Sequence, residues 1–257
     1  MTIVSTTYLV LSYNGYTYQT NADMPATVTE GVAARLRQAV SANMPGAYSA
    51  GGLVGVKKLS VHGILSAPDG TLATMRSLWD NFKAVHCPGL AAKLFVDTDR
   101  YINAEVESIA DSQWNGLAYR EYEVSFSCAD PFWYDWNPVS CADNYQTQPL
   151  AVGSNSVIPG GTAPALPVIT LSIISYSGGS VTITDSGGAA FTVTPDAVGA
   201  CVIDCMNEVV AVNSSTNMSV FSGQFLSVPA VGTTWMIATS GTVAISSMSA
   251  QWQRRWV

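Results

Sequence analysis

The sequence predicts a mostly β protein in two domains: an antiparallel sheet carrying one helix, followed by a β-sandwich. Three observations predict it. First, the stretch 119–136, YREYEVSFSCADPFWYDW, opens with a clean alternation. Tyr122, Val124, Phe126 and Cys128 fall on one face, with Glu121, Glu123, Ser125 and Ser127 on the other. A period of two with one apolar face is a half-buried strand. Second, the segment 69–85 repeats its apolar residues at helical spacing more clearly than any other. Third, beyond residue 137 the chain is almost uncharged and breaks into short Ser/Thr/Val runs between turn signals.

Taken in order, residues 3–20 read as a strand pair turning at Asn14-Gly15, a hairpin dipeptide. Residues 21–55 are punctuated by Met24-Pro25, Met44-Pro45-Gly46 and Gly51-Gly52, with a short helix expected at 30–40. A connection this long serves a function or stays disordered, and we read it as an arm reaching beyond its own domain. Residues 57–65 alternate as a strand, with Leu59, Val61 and Gly63 on one side. The helix over 69–85 is set by Leu72, Met75, Leu78, Trp79 and Phe82, with Asp69 as its expected N-cap and Pro88-Gly89 as its stop. Strands at 93–97 and 101–109 turn at Thr98-Asp99-Arg100, a turn at 112–116 follows, and then comes the strand at 119–128. That strand should end at Pro131, which has no N–H for a ladder.

Residues 137–165, rich in Pro, Gly, Asn and Ser, read as a link, so the domains are taken as 1–140 and 141–257. After the link come strands at 168–175, 180–184, 189–194, 200–204, 208–212, 225–228, 234–238 and 242–246, with Gly178-Gly179 and Ser186-Gly187-Gly188 as turns. Regular short strands without helices are a β-sandwich. The chain ends in Trp252, Arg254, Arg255 and Trp256, which alternate like a last strand.

Composition narrows the function. Charged residues are 11% of 257, against about 25% in ordinary domains. Either a β-rich fold has a neutral hydroxyl surface, or much of the surface is covered by other subunits, where charge is costly. A net charge of −7 argues against holding nucleic acid. No run is long and apolar enough for a membrane span. The start, MTIVSTTYLVLSYNG, lacks the basic region of a signal peptide. Five cysteines without a pattern point to a reducing compartment rather than a disulfide framework.

Chemistry is sparse. His62 and His86 are the only histidines; His86 beside Cys87 suggests a ligand pair, but the other cysteines complete no zinc spacing. No Gly-x-Ser-x-Gly elbow or glycine-rich phosphate loop is present. Glu105 with Glu107, and Glu121 with Glu123, are same-face carboxylate pairs of the kind glycosidases use, and of the kind solvated strand faces carry routinely. Cys201 and Cys205 are expected as small core residues, too far apart on a regular strand to bridge. Trp235 and Trp252 are the candidate platforms for a sugar, with Trp235 expected in the core beside Ile237. Pro131, Phe132, Trp133, Tyr134 and Trp136 form an aromatic cluster that needs cover, from its own core or from another chain.

Four pieces carry a resemblance: LWDNF at 78–82, LFVDTDRYINAEVESI at 94–109, EYEVSFSCADPFWY at 121–134, and a closing QRRW at 253–256. In this order they resemble the distal tail proteins of long non-contractile-tailed phages. The resemblance implies an N-terminal domain related to tail-tube proteins, with its arm at about 21–55, that closes with copies of itself into a ring, usually a hexamer. It implies a galectin-like C-terminal sandwich outside that ring, generally not a working lectin. Implied partners are the tail-tube protein, the baseplate hub and receptor-binding proteins, with no cofactor, no metal and no catalysis. The implied location is the virion tail tip, after assembly in the host bacterial cytoplasm. DNA would pass through the lumen without specific binding. On the acidic charge, Glu105, Glu107, Glu121 and Glu123 are expected to face that lumen, and Pro131, Phe132, Trp133, Tyr134 and Trp136 to serve assembly. The alternative is a carbohydrate- or receptor-binding tail-tip component.

Overall fold

The computed structural model describes residues 6–9, 12–18, 27–40, 47–96, 98–115 and 119–257. They form two compact units, Met1–Pro138 and Val139–Val257.

The first unit runs β1 (Thr6–Leu9), β2 (Ser12–Tyr13), β3 (Tyr16–Thr17), β4 (Thr27–Val40), β5 (Ala47–Ser66), α1 (Leu72–Val85), β6 (Ala91–Phe95), β7 (Arg100–Asn115), β8 (Tyr119–Cys128) and β9 (Trp133–Asn137). Its strands are ordered β1-β4-β5-β8-β7-β6-β2-β3, with β9 beside β7. That order dictates curvature. β1 and β2 stand six strand spacings apart in the order, about 29 Å if the sheet were flat. The chain between Leu9 and Ser12 spans at most about 11 Å. The sheet must therefore roll towards closure. At Asn14 and Gly15 the backbone has φ of 46° and 77°, the double positive φ of a type I′ hairpin joining β2 to β3.

Residues 30–40, expected as a helix, are instead strand: β4 pairs antiparallel with β5 from Thr27↔His62 to Val40↔Ala47. A continuous ladder to a partner strand overrides the modest helix preference of Ala, Arg and Leu here. The strand expected at 57–65 is thus the inner half of a longer one. The Met24-Pro25 and Met44-Pro45-Gly46 breaks lie outside the described residues. β7 also continues past the expected turn at 112–116, to Asn115.

Helix α1 packs Met75, Trp79 and Phe82 onto the sheet. Its N-cap is Thr71 rather than Asp69; the Thr71 hydroxyl accepts the Thr74 N–H at 3.3 Å. Asp69 acts one step back. Its carboxylate accepts the Thr71 N–H (3.0 Å), the Thr71 hydroxyl (3.0 Å) and the Thr74 hydroxyl (2.6 Å). These bonds, the Thr74 hydroxyl foremost, hold its carboxyl below the usual range.

The second unit runs β10 (Ala142–Asp143), β11 (Tyr145–Leu150), β12 (Gly153–Val157), β13 (Val168–Asp185), β14 (Ala190–Val193), β15 (Gly199–Asp204), β16 (Val209–Val212), β17 (Ser215–Thr216), β18 (Phe221–Gly223), β19 (Thr233–Gln253) and β20 (Arg255–Trp256). Two long strands organise it. The first half of β13 pairs β15, and its second half pairs β14. The two ends of β19 likewise pair β12 and β11. β13 and β19 pair with each other throughout, through register shifts between Ser172 and Gly179. Each long strand thus belongs to both layers of a sandwich, and Ile169, Leu171, Cys201 and Trp252 meet Ile183, Phe191, Trp235 and Ile237 in one core.

Three expectations change here. Gly178-Gly179 is a kink inside β13, not a turn between strands. Gly179 has φ of +149°, and a Cβ there would strike the Ser240 carbonyl. The expected link at 137–165 contains β11 and β12, which expose Tyr145, Thr147, Ser154 and Ser156 and turn Gln146, Gln148 and Asn155 to the side of buried Leu150 and Val157. The expected strand at 225–228 is reduced to one bridge, Ala165↔Val228.

Candidate functional site

Strands β5, β8 and β7 lie side by side, and their alternation separates two chemistries. Inward go Leu59 and Val61, then Tyr122, Val124 and Phe126, then Ile102, Ala104 and Val106, all buried beneath α1 and the β2–β3 hairpin. Outward go Lys58 and His62 of β5, Glu121 and Glu123 of β8, and Glu105 and Glu107 of β7. A register shift between Val106 and Ser108 makes Glu107 the extra residue of a bulge. Both Glu107 and Ser108 are therefore exposed, and Ile109 turns inward opposite Val124.

The register sets the ionic contacts. His62 stands opposite Glu123, with Nε2 at 3.6 Å from Oε1. Lys58 reaches the Glu107 carboxylate and donates to the Ser127 hydroxyl at 3.3 Å. These pairs are about half exposed, and such pairs contribute roughly 0–1 kcal/mol. The four glutamates share one sheet face against one lysine and one histidine on these strands, so the face is negative.

The aromatic stretch is held by Asp130. Its carboxylate accepts the Phe132 N–H at 3.3 Å and the Tyr134 hydroxyl. Pro131, Trp133 and Tyr134 are buried within the chain, while Phe132 and Trp136 are half-buried. Tyr134 stacks on Tyr101 at 5.8 Å between centroids, and Trp136 meets Phe95 edge-on at 5.2 Å. The Lys93 ammonium lies 4.2 Å over Tyr101 and 4.4 Å over Trp136, and buried Lys57 lies 5.1 Å over Trp133. The sequence reading missed these cation–π contacts, which join residues distant in the chain. It also missed Arg120, whose guanidinium stacks 3.8 Å over Trp79.

His86 and Cys87 do not converge on a ligand. His86 is buried, and its Nδ1 lies 2.9 Å from the Phe82 carbonyl. A carbonyl only accepts, so Nδ1 carries the proton. Nε2 then accepts from the Tyr18 hydroxyl at 2.7 Å. Burial pushes the His86 pKa down to about 4 and the Tyr18 phenol well up. Cys87 is exposed. Among the described residues no group of three His, Cys, Asp or Glu is placed to hold a metal.

Both candidate sugar platforms are interior. Trp235 is fully buried, and Trp252 donates its indole N–H to the Pro159 carbonyl at 3.0 Å. Cys201 and Cys205 are buried free thiols, pushed up by burial to about 11 and about 12.

No family model and no curated protein matches the sequence. Solved structures do. The crystal structure of SPP1 Dit, described as a paradigm of the hub adsorption apparatus in phages infecting Gram-positive bacteria, superposes with a TM-score of 0.69. The match covers 99% of this chain and 100% of that one at 14% identity. Two structures of the phage p2 baseplate in its activated conformation, with Sr and with Ca, match more weakly, at TM-scores of 0.40 and 0.37. They cover 98% of this chain and 98% of each matched chain, at 10% and 9% identity. The chain has a Dit-like fold.

Proposed function

We propose that this chain is a structural protein of a phage tail tip. One observation carries the reading: the likeness to SPP1 Dit runs across both units and the full length of both chains. A shared sandwich alone would say little, because such folds host many functions. Here the likeness takes in the N-terminal sheet with its helix and the C-terminal sandwich alike.

In this reading the N-terminal unit closes with copies of itself into a ring, a hexamer by analogy. The ring joins the tail tube to the baseplate hub. The C-terminal sandwich stands outside as a galectin-like domain that holds receptor-binding proteins. The protein works by position, with no reaction of its own and no cofactor. Assembly takes place in the host bacterial cytoplasm, and the final location is the virion tail tip. The low charge fits, because faces buried between subunits would have to desolvate any charge they carried.

The acidic face of β5, β8 and β7 is the wall of the lumen. Glu105, Glu107, Glu121 and Glu123 would repel the phosphate backbone, so DNA passes without sticking. Phe132 and Trp136, the half-exposed members of the aromatic stretch, supply apolar surface to a neighbouring copy around buried Pro131, Trp133 and Tyr134. The carbohydrate-binding alternative loses support, since Trp235 and Trp252 are both interior.

Light scattering of the purified full chain tests the assembly, with a mass several times 27.1 kDa expected. Virions carrying Glu105→Lys with Glu107→Lys, or Glu121→Lys with Glu123→Lys, should eject DNA more slowly and with stronger salt dependence. Unchanged ejection would remove the lumen assignment.

A further inference from the structure

The turn between β2 and β3 brings an amide carbon and a bare backbone nitrogen together at the surface. Asn14 and Gly15 are both exposed and both have positive φ, 46° and 77°. The ladder closes at Tyr13↔Tyr16, so the Gly15 N–H lies outside it and faces solvent. Nothing crowds the glycine: a Cβ built there would meet no atom within 4 Å. Among the described residues the Asn14 side chain meets one partner, the Val85 carbonyl at the end of α1, at 3.4 Å. A hydrogen bond of that length restrains the amide little.

Other Asn and Asp residues that precede a small residue are held far more firmly. Asn213, before Ser214 in a turn that also has positive φ, accepts the Ala200 N–H at 3.2 Å and donates to the Val198 carbonyl at 3.0 Å. Asn155, before Ser156, accepts the Ala151 N–H at 2.9 Å and donates to the Ala151 and Gly153 carbonyls at 2.7 and 3.0 Å. Asp69, before Gly70, is engaged by Thr71 and Thr74, and an ionised carboxylate is a poor electrophile. Asn14 combines a loosely held amide with an unhindered glycine, in a residue type that is thermolabile by chemistry.

We propose that Asn14-Gly15 is a site of spontaneous deamidation, through which the N-terminal unit loosens its hairpin as the protein ages. Hydroxide takes the Gly15 amide proton, and the nitrogen attacks Asn14 Cγ. A C–N bond forms, the bond to the side-chain nitrogen breaks, and ammonia leaves with a proton from water, which restores the hydroxide. Water then opens the cyclic imide at either carbonyl, giving aspartate or isoaspartate, so water is the only co-reactant. Aspartate sets a carboxylate against the Val85 carbonyl, at the negative pole of α1. Isoaspartate adds a methylene to the loop, which the type I′ geometry does not accommodate. Either product weakens the seat of the hairpin on α1, which the Tyr18–His86 bond completes. The inference goes beyond the tail-tip reading, because it needs neither a ring nor a partner.

Ageing of the purified full-length protein in mildly alkaline and mildly acidic buffer tests it. Peptide mass spectrometry reads Asn14 apart from the second Asn-Gly pair, Asn115-Gly116, and enzymatic methylation of isoaspartate identifies the rearranged product. Asn14 should convert faster in alkaline buffer, while Asn155 and Asn213 stay intact. The melting temperature of the N-terminal unit should fall in step with the conversion. Asn14→Gly keeps a residue suited to positive φ and removes the amide, so its melting temperature should hold on ageing. The inference is overturned if Asn14 lasts as long as Asn213, if its conversion leaves the melting temperature unchanged, or if Asn14→Gly loses stability as the parent does.

Discussion

The Tyr18 hydroxyl donates to His86 Nε2 across 2.7 Å, joining the β2–β3 hairpin to the last turn of α1 in the core of the N-terminal unit. The histidine is enclosed by rings: Phe82 stacks at 4.2 Å, Tyr13 at 5.3 Å, and Tyr16 and Tyr18 pack around it. None of these neighbours offers a carboxylate to stabilise an imidazolium.

Stability should therefore fall in mild acid. The unfolded chain takes up the His86 proton near pH 6.5, and the folded chain only near pH 4. Between those values the unfolded state binds more protons, so stability is full above pH 6.5 and declines as pH drops towards 4. A shift of that size corresponds to at most about 3 kcal/mol. Urea denaturation of the N-terminal unit at pH 7 and pH 4.5 measures it, and His86→Gln should flatten the difference. Equal midpoints in the parent protein would contradict the buried neutral histidine.

Gly63 is expected to resist any side chain. It lies inward on β5 opposite Tyr122, and a Cβ there would run into the Tyr122 ring. That ring is itself fixed at 4.4 Å from Phe82. Gly63→Ala should destabilise by about 1–3 kcal/mol through overpacking. Tyr122→Val in the same chain should recover part of that loss, since it removes the clashing ring. Thermal unfolding of the three variants decides it.

Thr71→Ala should cost about 1 kcal/mol by removing the α1 N-cap. The loss should appear as a lower melting temperature of the N-terminal unit, with the sandwich unchanged.

Gly179→Ala should destabilise the sandwich instead. The kink that carries β13 between layers needs a positive φ and a close approach to the Ser240 carbonyl. A cost of about 1–3 kcal/mol is expected for that conformation in an alanine. Calorimetry should show the upper or lower transition moving alone, opposite to the one Thr71→Ala moves.

Sequence patterns made the strand at 119–128, the helix, the Asn14-Gly15 turn and the hydroxyl-rich sandwich legible, because each is written in local periodicity or in one dipeptide. The hairpin at 27–66 was not legible. Its first strand contains helix-tolerant residues, and only pairing with a distant partner makes it β. The kink at Gly178-Gly179 looked like a turn because a glycine pair signals both, and only the long partner β19 distinguishes them. Of the candidate site, the alternation paired Glu105 with Glu107 and Glu121 with Glu123, whereas the β7–β8 register is what brings both pairs to one face. The burial of Trp133 and Tyr134 depended on Tyr101, Lys93 and Lys57, which no local pattern connects to them. Asp69 was read as the cap because it is the stronger capping type, whereas the helix begins two residues later.

Negative-stain imaging of the purified full-length protein is the most direct test of the account as a whole. Annular particles of uniform diameter with a central hole are expected. A field of isolated protomers at every concentration tried would contradict it.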